Sequence, residues 1–149
     1  MKKTLIALLL SLGSLSAQAA LDPAQVRQLA AEDSTDKVAA IRQLTQTADP
    51  DAVRVLKAMA EDSLFLAGDK VVIIDGDKVF DAATGAATKI PASPESVTVN
   101  NRIRGELASA LAALKLFDSD VAVRLASAQK LQSQVTPEMA PLLARALEK

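Results

Sequence analysis

Residues 33–44 read DSTDKVAAIRQL, and residues 120–131 read DVAVRLASAQKL. A shift of 87 residues superposes the two stretches without a gap. An aspartate in front of an apolar stripe at helical spacing is typical of a helix N-cap, and a proline suits the first helical position. Each copy therefore predicts a capped helix followed by a second helix. The coinciding positions are Asp33 with Asp120, Lys37 with Arg124, Val38 with Leu125, Ala39 with Ala126, Leu44 with Leu131, Pro50 with Pro137, and Val55-Leu56 with Leu142-Leu143.

Helix-start signals of the same kind recur along the chain and predict six helices. They stand at Asp22-Pro23, Asp33-Ser34, Asp49-Pro50, Asn100-Asn101, Asp118-Ser119 and Thr136-Pro137. Repeated helix pairs are typical of α-solenoids, and residues 120–131 resemble the HEAT-repeat pattern of an aspartate, a valine–arginine pair and spaced alanines. We therefore predict a mainly α fold, a short HEAT-like α-solenoid of antiparallel helix pairs. Generic amphipathic helix pairs rich in alanine and leucine remain the alternative.

Between the third and fourth predicted helices the apolar spacing becomes that of strands. Residues 70–74 are a short β-branched run, Asp75-Gly76 is a turn signal, and Val79-Phe80 follows. A second turn at residues 82–85 precedes Thr88–Ile90, which could add a third strand. We expect a small β-hairpin insert at about residues 69–90, docked on the helices by Phe65, Ile73 and Phe80 because a lone hairpin is marginal in water.

The first 19 residues have the pattern of a bacterial export signal. Lys2 and Lys3 precede an apolar run from Leu5 to Leu15, and Ala17 and Ala19 provide the small residues that a signal peptidase reads. A helix of about 11 residues spans only about 17 Å, which is short for a membrane anchor. We therefore predict cleavage after Ala19 and a single periplasmic domain over residues 20–149.

Composition removes several classes of function. The chain has 149 residues, no His, no Cys and a formal net charge of −1, so thiolate chemistry, zinc–thiolate sites and nucleic-acid binding are not expected. The acidic pairs, such as Asp49/Asp51 and Asp118/Asp120, are interpreted as turn and helix caps rather than metal ligands, and Ser34 in the Ser34–Lys37 spacing is interpreted as part of a helix cap rather than a nucleophile. We predict no enzyme activity, cofactor or metal, although a carboxylate pair assembled by the fold stays an open alternative.

Two charged groups are candidate partner-contact residues. Arg102 and Arg104 stand in the first turn of the fourth predicted helix, where a positive charge opposes the helix dipole and so is not needed locally. Asp75 and Asp77 stand at the hairpin turn. The simpler alternative for the arginines is pairing with nearby acids such as Glu95 or Glu106, or solvation.

Several short motifs together resemble one family, the N-terminal extramembrane region of a urea ABC transporter permease of bacteria, which is of the branched-chain amino-acid permease type. The resemblance covers essentially the whole chain. It rests on the order of five segments: LDPA at 21–24, the Asp-Pro helix pair, FDAATG at 80–85, NNRIR at 100–104, and LFDSD at 116–120 in front of the HEAT-like helix.

This resemblance implies a periplasmic domain that precedes a multi-helix permease. Its partners would be the urea-binding protein and the permease subunits, and no catalytic or urea-binding residue is implied. After residue 20 the sequence has no apolar span of about 20 residues, and it stops inside the last predicted helix. We therefore expect a chain that lacks the C-terminal permease region and would meet the membrane only through it. The alternative is a free-standing periplasmic adaptor.

Overall fold

The computed structural model describes residues 20–133 and 135–148, so the predicted signal and its cleavage residues Ala17 and Ala19 lie outside the described part. The helices are α1 (Pro23–Gln28), α2 (Ser34–Thr47), α3 (Pro50–Ala60), α4 (Asn101–Leu114), α5 (Val121–Leu131) and α6 (Ala140–Leu147). Short 3₁₀ turns precede α5 (Lys115–Phe117) and α6 (Pro137–Met139). The strands are β1 (Leu64–Ala67), β2 (Lys70–Asp75), β3 (Lys78–Asp81), β4 (Ala87–Thr88) and β5 (Glu95–Ser96).

Most predicted helix starts are confirmed, because the side chain of each cap accepts a hydrogen bond from a backbone N–H in the first turn. Asp22, Asp33 and Asp49 cap α1, α2 and α3 in this way, and Asn100 caps α4. The cap of α5 is Asp120, two residues beyond the predicted Asp118. Residue 136 precedes a 3₁₀ turn and makes no side-chain cap, so the last helix begins later than predicted.

The predicted fold class is wrong. The segment between α3 and α4 is a five-stranded antiparallel sheet in the order β4-β3-β2-β1-β5, rather than a small hairpin inserted into a mainly α solenoid. The hairpin β2–β3 is present with its turn at Gly76-Asp77, and β4 is the third strand, but β1 and β5 were not predicted. The described chain is therefore a mixed fold of helices and an antiparallel sheet.

The sheet packs against the helices and contributes side chains to the main core. One buried cluster joins helix residues such as Ile41, Leu56 and Leu107 to sheet residues such as Leu64 and Ile73. Phe65 and Phe80 are both partly buried, and Phe80 packs against this cluster. A solenoid would bury its helices only against further helices, whereas here strands also pack against the helices. The predicted fold class is wrong for this physical reason.

A second, smaller cluster joins the end of α4 to α5 and α6. Its buried members are Ala112, Ala113, Leu116, Leu131 and Leu142. The 87-residue shift holds in this part of the structure. Ser34 begins α2, and Val121, 87 residues later, begins α5. Shifting α3 by 87 residues gives the range that starts with the 3₁₀ turn at Pro137 and finishes at the end of α6. Among the described residues, no helix is long and apolar enough to cross a bilayer.

Candidate functional site

The candidate arginines lie at the exposed start of α4. Arg104 donates from Nη2 to both carboxylate oxygens of Asp62 at 3.1 Å, which joins α4 to the turn after α3. The two side chains are 48% and 54% exposed, so this ion pair contributes at most about 1 kcal/mol to stability. Arg102 is exposed. The pKa of Asp33 is lowered mainly by the hydrogen bond from the Thr35 N–H, and the positive charge of Arg102 adds a small further lowering.

The candidate aspartates lie at the turn of the β2–β3 hairpin. Asp75 pairs with Lys78 across the turn, and both Asp75 and Asp77 are exposed. Within residues 20–133 and 135–148, no hydrogen bond or ion pair joins Arg102 or Arg104 to either aspartate. Arg102, Asp75 and Asp77 are therefore separate exposed charges. Arg104 instead forms a contact within the fold.

The FDAATG motif forms a structural loop. Asp81 Oδ1 accepts hydrogen bonds from the N–H groups of Ala83 and Thr84 at 3.1 and 2.9 Å, and from the Thr84 hydroxyl group at 3.0 Å. The carbonyl of Ala83 then accepts from the N–H of Leu21 at 3.1 Å. This motif therefore ties the beginning of the described chain to the sheet.

Lys37 is a buried cation with a structural partner. The residue is only 5% exposed, and its Nζ donates to the Thr98 carbonyl at 2.8 Å. Burial lowers the pKa of Lys37, since removing an ammonium group from water disfavours its charged form. Ser34 accepts a hydrogen bond from the Asn100 side chain at 2.9 Å. Both residues of the Ser34–Lys37 spacing thus hold the segment that leads into α4, consistent with the structural interpretation of that motif.

A cleft of about 80 Å³ with a mixed polar and apolar lining lies between α2, α4 and the turn before α6. On one wall Arg42 donates to Glu106 from Nε at 2.8 Å and from Nη2 at 3.2 Å. This hydrogen bond and the charge of Glu106 raise the pKa of Arg42. On the other side a hydrogen bond from Thr136, helped by Arg42, lowers the pKa of Glu138. A carboxyl group that acts as a general acid near neutral pH needs a raised pKa, whereas the pKa of Glu138 is lowered. The cleft therefore fits a structural contact between helices better than an acid–base pair.

A larger cleft of about 620 Å³ lies beside the link between α2 and α3. Arg145 of α6 crosses its edge, with its guanidinium carbon 5.7 Å from the centre of the Phe117 ring. The same side chain donates to the carbonyls of Gln46 and Thr47 at 2.9 and 3.5 Å. Because these carbonyls end α2, the positive charge also favours the negative end of the helix dipole. Arg145 therefore serves to hold α6 against α2.

A predominantly apolar depression lies between α5 and α6, and we call it the α5–α6 groove. Its volume is about 370 Å³. Val121, Leu125 and Leu147 are 65%, 59% and 89% exposed, which is unusual for three large apolar side chains that share one concave surface. The lining residues are Leu116, Val121, Arg124, Leu125, Ala128, Leu143, Ala146 and Leu147.

The α5–α6 groove was missed at the level of sequence because its apolar stripe looks like any buried stripe. The helical spacing of Val121, Leu125 and Leu131 predicts a buried stripe, but α5 buries only Ser127 and Leu131. The sequence nevertheless contains an indication of the groove. The 87-residue repeat predicts that both helix pairs have an apolar face that must be buried against another element.

Comparison of the chain with known protein families, with curated proteins and with solved structures finds no match. Among the described residues no group of three or more acidic side chains is arranged to hold a metal ion. The chemistry of the α5–α6 groove is therefore the basis for a functional proposal.

Proposed function

We propose that the chain is a non-catalytic, extracytoplasmic domain of a urea ABC transporter that acts through contact with other transporter subunits. The resemblance of its ordered motifs to the region that precedes a urea permease supports this proposal. The export signal predicted at residues 1–19 is consistent with it. The partners are the urea-binding protein and the permease subunits.

The observation that carries the contact function is the exposure of Val121, Leu125 and Leu147 around one groove. Exposed apolar surface costs free energy in water, and concave apolar patches on a protein surface are typical of protein-interaction sites. The two clefts described above are spanned by contacts within the chain, Arg42 with Glu106 in one and Arg145 with Gln46 in the other. Those contacts favour structural roles for these clefts.

The contact function is tested by Leu125→Glu in cells that depend on urea as their nitrogen source. A carboxylate placed in an apolar contact costs several kcal/mol of binding free energy unless it finds a partner. We therefore expect urea uptake and co-purification of transporter subunits to fall by about tenfold or more. Because Leu125 is 59% exposed, the stability of the domain should change by less than about 0.5 kcal/mol.

Ile90→Glu is the matched control. Ile90 is 66% exposed and lies outside the α5–α6 groove, so this variant makes the same chemical change at similar exposure. We expect it to leave uptake and co-purification near wild-type levels. Normal uptake and normal subunit recovery with Leu125→Glu would contradict the proposed function, provided that circular dichroism shows both variants folded.

A further inference from the structure

The repeat provides an internal reference for the α5–α6 groove. Positions inside each helix pair are equally buried in both copies: Leu44 and Leu131 are 0% and 1% exposed. Positions on the outward face differ, because Val38 is 5% exposed while its equivalent Leu125 is 59% exposed. Leu56 and Met59 are fully buried, whereas their equivalents Leu143 and Ala146 line the groove and are only partly buried. The same face is therefore core in the first copy and open in the second.

In the first copy, this face belongs to the main buried cluster. The cluster also contains branched aliphatic side chains from outside the helix pair, among them Leu64, Ile73, Val97 and Ile103. The covering part of the chain also supplies an oxygen acceptor, since Lys37 donates to the Thr98 carbonyl at 2.8 Å. Cover of this kind combines aliphatic side chains with a backbone carbonyl that faces a basic residue.

The second copy retains the features that this cover requires. Arg124 occupies the position of Lys37 and lines the α5–α6 groove, and within the described part of the chain its Nη1 donates to nearby loop carbonyls, those of Asp118 and Ser119. A guanidinium group has five N–H donors, so donors remain for another acceptor. Leu116 belongs to the second buried cluster and also lines the groove. A cover here would extend an existing core outward.

We propose that the α5–α6 groove binds a partner polypeptide that presents a ridge of branched aliphatic side chains and a backbone carbonyl directed at Arg124. This inference rests on the proposed function, in which the partner is a component of the same transporter. A second copy of the chain fits less well. A two-fold contact would place two concave surfaces face to face and bring two Arg124 guanidinium groups together. A convex ridge with an oxygen acceptor is complementary in both shape and charge.

Site-specific photo-crosslinking tests this inference. The photoreactive residue p-benzoylphenylalanine replaces Leu125 in the full chain, which is expressed together with the urea-binding protein and the permease subunits. We expect irradiation to give one adduct with one transporter polypeptide, and mass spectrometry to place the adduct in a segment rich in Leu, Ile or Val. The same photoreactive residue at Ile90 is the control and should give no such adduct.

The role of Arg124 is measured by the adduct yield of two further variants that carry the photoreactive residue at 125. Arg124→Lys keeps a cation for the partner's carbonyl and should retain most of the adduct. Arg124→Gln should lower the yield by about tenfold, the order expected for loss of a charge-assisted hydrogen bond. Equal yields in the two variants would overturn the assigned acceptor, given thermal unfolding midpoints that match the parent.

The remaining outcomes separate this inference from the proposed function. An adduct of the chain with itself would identify a second copy as the occupant and overturn the inference. Absence of any adduct at 125, combined with impaired uptake of Leu125→Glu, would overturn the groove inference and leave the transporter function supported. An aliphatic adduct with one identified protein outside the transporter would overturn the proposed function and support the binding chemistry of the groove.

Discussion

At the scale of single residues, Gly85 and Arg54 depend on each other. Arg54 donates from Nε to Asp51 Oδ1 and from Nη2 to the Ala82 carbonyl, both at 3.2 Å, which joins α3 to the loop after β3. Its guanidinium group lies against Gly85, and among the described residues its Nη1 is buried without a hydrogen-bond partner. Gly85 also has a φ of +72°, a conformation that side chains other than glycine disfavour. The last residue of the FDAATG motif is thus required by this contact.

Gly85→Ala is expected to lower the free energy of unfolding by about 1.5–2 kcal/mol, of which about 1 kcal/mol is backbone strain and the rest weakened hydrogen bonds of Arg54. Left-handed backbone costs an alanine about 1 kcal/mol, and the new Cβ would lie 3.0 Å from Arg54 Nη1 and 3.1 Å from its Cζ. The guanidinium group would then have to shift by a few tenths of an ångström, which weakens its hydrogen bonds to Asp51 and Ala82. Chemical denaturation of the purified protein measures this change.

Gly76→Ala is the control for backbone strain alone, because Gly76 has a φ of +57° and a Cβ there would meet nothing within 4 Å. It should cost only about 1 kcal/mol. Equal losses of stability in the two alanine variants would contradict a special role for the Arg54 contact.

At the scale of elements, α2 and α5 begin in the same way but experience different surroundings. Asp33 Oδ1 accepts from the Thr35 N–H at 2.6 Å, and Asp120 Oδ1 accepts from the Ala122 N–H at 2.8 Å. Each aspartate thus satisfies one of the unpaired N–H groups of a first turn. Beyond this shared start, α2 buries Lys37, Val38 and Ile41, whereas α5 leaves the equivalent positions at the α5–α6 groove. The cap specifies where each helix begins, and the neighbouring elements decide which face is covered.

Asp33→Asn tests the charge of the α2 cap. The hydrogen bond from Thr35 lowers the pKa of Asp33 below its ordinary value of 3.8. A lowered carboxyl pKa in the folded state gives stability that is complete above the unfolded pKa and is lost as the pH falls through the folded pKa. Because Asn still accepts the cap hydrogen bond but cannot titrate, the wild type should lose more stability than Asp33→Asn on acidification through and below pH 3.8.

Denaturation midpoints of the wild type and the Asn variant, measured across this pH range, give the difference directly. Other titrating groups are common to both proteins and cancel. A constant difference in midpoint at every pH would contradict the assigned effect of the Asp33 charge.

At the scale of the whole molecule, two buried clusters divide the described chain. The main cluster unites α1 to α4 with the sheet, while the second joins the end of α4 to α5 and α6 through far fewer buried side chains. Local unfolding favours regions with little buried apolar surface. The part that carries the proposed binding groove is therefore also the part with the least internal support, and a bound partner would stabilise it.

Hydrogen exchange should reveal this difference. We expect backbone amides in the middle of α5 to exchange at least about tenfold faster than those in the middle of α2, because opening α5 exposes less buried surface. Exchange measured by mass spectrometry on peptides from the two helices provides the comparison. Equal protection of the two helices would contradict the division and would indicate one cooperative unit.

Interactions between near neighbours determined what could be predicted from the sequence alone. The helix starts at Asp22, Asp33, Asp49 and Asn100 depend on a side chain and an N–H only two or three residues away, so these residues specify them directly. The β2–β3 hairpin is similar, since its two-residue turn at Gly76-Asp77 sets its own register. The 87-residue repeat likewise located α2, α3 and α5 from the pattern of apolar residues and prolines.

Only the tertiary structure decided the pairings between distant residues. The strand β1 is stabilised partly by pairing Leu66 with Glu95, and Arg104 pairs with Asp62 rather than with Glu95 or Glu106. Neither the spacing of apolar residues nor a helix cap specifies such pairings. The pairings depend on which surfaces the whole chain brings together. For the same reason Val38 and Leu125 share a pattern but differ in exposure, because the sheet and α4 complete the core around the first helix pair, while the outer face of the second stays open in this structure.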